Sequence, residues 1–221
     1  MSIPETAQDW RETVAARSAE PIGRRAGERA VAQAERIVEA AWVVWDEAPT
    51  GEFTLEQVAA RARVSLRTIY RYFPSKDELL LAVFADRVQA GAAWLRDHVG
   101  PESDPKKRLE LMVTGLFRAS IDRGGVSFMA AMSGEVDRLG ASTPVAVSAA
   151  LEPLVALFAA ELDAAVAAGV VEPVDPRDAP LLLQLVMAGV GQHLRAGGSA
   201  DRDAEHLWRF CARAVGLRER N

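Results

Sequence analysis

Arg61, Arg63, Arg67, Arg71 and Lys76 fall between Thr54 and Lys76, a window whose only acid is Glu56, in a chain of formal net charge −5. Guanidinium and ammonium groups grouped in this way suit phosphate oxygens and the edges of guanine, not bond breaking. The only two tyrosines, Tyr70 and Tyr72, lie in the same window. A basic island on an acidic protein is a local electrostatic footprint and not a general affinity for polyanions. The plainer alternative is a solvated, charged helix face packed on a core. Bond-making constellations are absent from the sequence: there is no G-x-x-x-x-G-K-[ST], no G-x-G-x-x-G, no G-x-S-x-G and no H-E-x-x-H. Of the three histidines, His206 lies near Asp201, Asp203 and Glu205. Those acids read as a helix N-terminus in preference to a metal site. No enzyme activity, cofactor or metal is expected.

The elements that must hold the basic island are legible around it. Residues 54–84 read TLEQVAARARVSLRTIYRYFPSKDELLLAVF. Leu55, Val58, Ala59 and Ala62 repeat at helical spacing, with Thr54 as N-cap and Gln57 able to complete a capping box. A break at Arg63-Val64-Ser65 follows. A second helix is expected over 66–73, capped by Ser65 and stopped by Pro74. Ser75 caps a third. Two short helices about a tight break describe a helix-turn-helix. The base-facing positions of its second helix are Leu66, Arg67 and Thr68, with Arg71 behind them. None is Asn or Gln, so the bidentate adenine contact is missing, while Arg67 can bridge guanine O6 and N7.

Val64-Ser65-x-x-Thr68-Ile69-Tyr70-Arg71-Tyr72-Phe73-Pro74-Ser75-Lys76-Asp77-Glu78-Leu79 resembles the signature of the TetR family of bacterial one-component regulators. The motif covers about 45 residues; beyond it the likeness is one of helix layout and length. The resemblance implies an all-α homodimer with an N-terminal DNA-binding domain and a C-terminal ligand-binding domain. It also implies phosphate contacts from Tyr70, Lys76 and Thr54. Ser65 and Tyr72 complete the DNA-binding set. Ser127–Glu135, SFMAAMSGE, resembles actinobacterial TetR-type regulators of lactone catabolism and quorum quenching, which implies a lactone or acyl-chain ligand.

Around that head the chain divides into a flexible arm over 1–26, a DNA-binding domain over 27–76 and a ligand-binding and dimerisation domain over 77–221. Pro4, Pro21 and Gly23 interrupt any periodicity in the arm. It is either an irrelevant leader or a minor-groove arm carrying Arg24 and Arg25. A helix over 27–47 buries Ala30, Ala34, Ile37, Ala41, Val44 and Trp45, and Phe53 plugs the resulting core. Helices are further expected over 75–99, 104–124, 127–139, 143–169 (kinked or broken at Pro153), 181–196 and about 201–217. At ~1.5 Å per residue the helix from Ser75 spans roughly 36 Å, enough to join two domains as a rod. There is one cysteine, Cys211, and the N-terminus has no apolar h-region. Together these point to a reducing cytoplasm. No run of eighteen apolar residues suggests a membrane span.

Met112, Leu116, Phe117, Phe128, Met129, Met132, Phe158 and Met187 recur at helical spacing. They are ordinary core or the adaptable wall of a mainly apolar cavity. Trp94, His98 and Gln184 are its candidate rim and polar groups. Leu181, Leu185, Ala188, Gly189, Leu207, Phe210 and Ala214 are expected to form an isologous four-helix dimer interface. The expected function is a ligand-responsive repressor that binds a palindromic operator as a dimer and is released by a mainly apolar small molecule. The alternative is a ligand-independent DNA-binding accessory regulator.

Overall fold

In the computed structural model the described residues are 10–18, 24–48, 53–122 and 138–217. Among them every regular element is helical. The helices are α1 (Trp10–Ser18), α2 (Arg24–Asp46), α3 (Leu55–Ala62), α4 (Leu66–Tyr72), α5 (Lys76–Val99), α6 (Pro105–Asp122), α7 (Pro144–Ala167), α8 (Asp178–Ala196) and α9 (Ala200–Ala214). Residues 138–142 form a further helical turn. The expected all-α fold is thus observed. The helix expected over 127–139 lies almost wholly outside the described residues.

The chain forms two compact units. One gathers the described residues up to Arg87 with those between Ala131 and Leu151; the other gathers the remainder. The division falls inside α5, after Arg87, and not at its first turn.

In the first unit α2 is the floor on which α1, α3 and α4 pack. Ala30, Ala34, Ile37, Ala41 and Trp45 line its inner face as their spacing requires, and all are buried. Leu55, Val58 and Ala59 of α3 and Ile69 and Tyr72 of α4 close over them. Phe53 is 4% exposed, and its ring lies 5.7 Å from that of Trp45. It fills the core that the short helices alone could not. Arg138 returns to the start of α5, where its guanidinium bonds both carboxylate oxygens of Asp77 at 2.6 and 3.1 Å. That hydrogen bond outweighs desolvation and holds the Asp77 carboxyl below the ordinary aspartate range. A depressed folded pKa means the link is complete at neutral pH and is lost as acid protonates the carboxylate.

The arm differs from expectation. Residues 10–18 are a helix, α1, docked on α2. Trp10 lies against Phe73 with ring centroids 5.9 Å apart, and Val14 is 2% exposed. Arg11 bonds Glu35 of α2 at 2.7 Å and Asp86 of α5 at 2.6 Å. Period-reading missed α1 because its nine residues carry one short apolar stripe, Trp10 and Val14 at i and i+4.

In the second unit α6, α8 and α9 pack on one another. Met112, Val113, Leu116 and Phe117 of α6 are buried, as are Leu182, Leu183, Val186 and Val190 of α8. Arg108 bonds Glu161 of α7 through Nε, which reaches Oε2 at 2.6 Å, and through Nη2, which reaches Oε1, while its Nη1 donates to the Glu102 carbonyl at 3.0 Å. The 7%-exposed Glu161 is therefore paired and not an isolated buried charge. The helix α7 runs on through Pro153 without a break. It is also long and apolar enough to cross a bilayer by length and composition. Leu154, Phe158, Leu162 and Ala165 form its buried face, and 39% of that apolar window is buried.

Candidate nucleic-acid interface

The geometry of the helix-turn-helix follows from its caps. The Thr54 hydroxyl accepts from the Gln57 N–H at 3.3 Å, and Gln57 Oε1 accepts from the Thr54 N–H at 2.8 Å. This reciprocal capping box fixes where α3 starts. Its end is equally defined. Arg63 adopts φ 55°, ψ 47°, its N–H donates to the Ala60 carbonyl, and the Val64 N–H donates to the Ala59 carbonyl. These two bonds make a Schellman motif with its left-handed residue at Arg63. Ser65 then caps α4, its hydroxyl accepting from the Thr68 N–H at 3.1 Å and lying 2.9 Å from the Thr68 hydroxyl. Ser65 and Thr68 thus serve the cap with their hydroxyl oxygens.

Burial sets the roll of α4. Ile69 and Tyr72 point inward, so Arg67, Tyr70 and Arg71 are exposed, with Tyr70 at 51%. Leu66 and Thr68 are half-buried. Tyr72 stands apart from the other members of the expected set: it is 4% exposed. Its hydroxyl donates to Gln33 Oε1 at 2.9 Å and accepts from Arg71 at 2.6 Å, and the Arg71 guanidinium lies 4.6 Å above its ring. Tyr72 anchors α4 on α2 and steadies Arg71. Gln33 was missed in the sequence because nothing local marks it; its partners lie 38 and 39 residues away.

The cations differ in what else they hold. Arg61 forms a bidentate pair with Glu47 at 3.0 and 3.1 Å. Arg71 is tied to Gln33 and Tyr72. Lys76 donates to the Phe53 carbonyl at 2.8 Å and lies 4.5 Å over the Phe53 ring. An ammonium has three donors, so the Phe53 bond leaves Lys76 two for a phosphate. Arg63 and Arg67 are exposed. Their side chains bond nothing among the described residues.

The candidate ligand-binding residues divide in the same way. Met112, Leu116, Phe117 and Phe158 are buried in the second unit. Trp94 is half-buried and stacks on the exposed His98, ring centroids 4.9 Å apart and planes 12° from parallel. Gln184 is exposed on α8. Phe128, Met129 and Met132 lie outside the described residues, as does Ser127–Glu135 entire. The rings of His193 and Phe117 meet edge to face, centroids 5.7 Å apart, while His193 Nδ1 lies 2.7 Å from Asp203 Oδ2 on α9. The imidazole is thus part of the α6–α8–α9 packing. Cys211 is fully buried, and burial pushes its thiol up to about 11, which leaves it an inert apolar group. Among the described residues no group of His, Cys, Asp and Glu could hold a metal ion.

Residues 37–83 match the family described as bacterial regulatory proteins, tetR family. That stretch runs from the middle of α2 to the second turn of α5. No curated protein matches the sequence. Among solved structures the chain is similar to RolR in complex with resorcinol (19% identity, TM-score 0.67, covering 84% of this chain and 88% of that one). A second is a TetR transcriptional regulator from Rhodococcus sp. RHA1 (26% identity, TM-score 0.63, 83% and 96%). A third is FadR of Thermus thermophilus, a TetR-family transcriptional repressor, in complex with lauroyl-CoA (22% identity, TM-score 0.66, 85% and 97%).

Proposed function

We propose that the chain, whose residues 37–83 match the bacterial regulatory proteins of the tetR family, is a DNA-binding, ligand-responsive repressor acting as a homodimer on a palindromic operator. The observation that carries the reading is Arg67: an exposed guanidinium, free of any described partner, on a short helix whose start is fixed by Ser65 and whose roll is fixed by Ile69 and Tyr72. A recognition helix held this firmly loses little freedom when it enters a major groove. Paired heads read half-sites about 34 Å apart, so the operator repeats one guanine-containing half-site about a two-fold axis. Thr54, Tyr70 and Lys76 hold phosphates; Leu66, Arg67 and Thr68 face bases, with Arg71 behind them.

The effector is mainly apolar, of the acyl or lactone class. The buried Met112, Leu116, Phe117 and Phe158 supply apolar walls, and the lauroyl-CoA bound to Thermus FadR supports the acyl choice. Continuity of α5 from Lys76 into the second unit supplies a covalent route for the signal. An effector that binds the DNA-incompetent state a few kcal/mol better empties most operators. The test is selection of duplexes from random DNA, followed by titration of the selected duplex with and without acyl-CoAs and acyl-lactones. A palindrome with a required guanine, released by one of these compounds, is the expected result. Tight binding that none of them changes favours the ligand-independent regulator, and no salt-dependent DNA binding at all sinks both.

A further inference from the structure

Arg63 is the only described residue other than glycine with a positive φ. The left-handed region crowds Cβ against the backbone, and glycine or asparagine enters it at least cost. The turn needs that conformation, since it closes both bonds of the Schellman motif, but it does not need an arginine. Nor does the folded chain use the side chain: Arg63 is exposed and its guanidinium has no partner among the described residues, whereas Arg61, Arg71 and Lys76 each have one. A local cost with no return inside the fold points to a return outside it. The candidate partner is anionic, and it lies where Ser65 and Arg67, two and four residues on, meet theirs.

We propose that Arg63 is a DNA contact in its own right, its guanidinium taking a backbone phosphate at the wall of the groove that α4 enters. The proposal rests on the DNA-binding reading above. A phosphate is chosen over a base because Arg63 belongs to the turn, outside the helix that fills the groove and reads base edges. The strained backbone also gives this contact an unusual signature. Replacing Arg63 by glycine relieves strain while removing the contact, so stability and affinity move in opposite directions.

The experiment measures binding of wild type, Arg63→Gly, Arg63→Gln and Arg63→Lys to the selected duplex and to a scrambled duplex across a salt series, with thermal melts of each. Arg63→Gly is expected to melt no lower than wild type and to bind both duplexes about tenfold more weakly at ~0.1 M salt, with a salt slope shallower by about one. Arg63→Gln, which keeps the strained backbone, shows the same loss; Arg63→Lys keeps the slope. Wild-type affinity and slope in both Arg63→Gly and Arg63→Gln overturn the proposal alone. A loss confined to the selected duplex overturns the phosphate assignment in favour of a base contact. If wild type binds no duplex, the DNA-binding reading falls and this proposal with it.

Discussion

Arg67 lies on α4 and Lys76 opens α5, and substitution should separate their roles. Arg67 is exposed and its guanidinium has no hydrogen bond or ion pair among the described residues, so Arg67→Ala should leave the melt near that of wild type. It should cost about 1–3 kcal/mol at one guanine per half-site and flatten preference there. Lys76→Ala should weaken selected and scrambled duplexes alike and lower the salt slope by about one. It should also lower the melting temperature, because the Phe53 carbonyl loses a charge-assisted donor. Binding titrations on both duplexes with parallel melts decide it; equal losses of specificity in the two variants would contradict the division. The exposure of Arg67 was readable in sequence because it depends on position along one short helix, α4. The burial of Tyr72 was not. Its place beside Tyr70 and Arg71 suggested a DNA contact, but i+3 from Ile69 puts it on the inner face of α4, and only the fold supplies Gln33 to receive its hydroxyl.

At the scale of elements, contiguous signals were read well and distant ones were not. The Thr54 cap, the Ser65 cap and Pro74 each act within a few residues, and α3 and α4 begin where those residues require. Arg11 of α1 reaches Asp86, 75 residues away, and no local pattern announces that contact. Magnitudes indicate what holds α1. The partly exposed ion pairs of Arg11 are worth roughly 0–1 kcal/mol each, whereas burying a valine side chain contributes about 1.5–3 kcal/mol. Val14→Ala should therefore cost about 1–2 kcal/mol and Arg11→Ala less than about 1 kcal/mol. Chemical denaturation of each variant measures this. A larger loss from Arg11→Ala would make α1 an electrostatic clasp instead of an apolar one.

For the whole molecule, burial separates residues that sequence had grouped. A Cβ built on Gly189 would lie 3.0 Å from the Leu207 side chain and 3.6 Å from Phe117, so this glycine lets α8 close on α9 and α6 within one chain. Small residues among leucines mark close helix approach, but they do not say whether the second helix belongs to the same subunit. Leu181 and Phe210, at 52% and 49% exposed, remain large apolar side chains on the outer surface of α8 and α9, and Ala188 and Ala214, further along the same helices, are exposed as well. If these outer faces meet about a two-fold axis, Leu181→Glu and Phe210→Glu should produce folded monomers with a near-wild-type melt at low concentration. Gly189→Asp should instead lower the melt, because it drives a charge into the α8–α9 packing. Loss of the dimer should cost far more operator affinity than loss of one phosphate contact, since the second head would no longer bind at the effective concentration set by the first. Sedimentation of each variant beside its melt and its binding to full and half operators checks the chain of effects. Wild-type chains that sediment as monomers at micromolar concentration while binding a full operator no more tightly than a half-site would remove the paired-head mechanism.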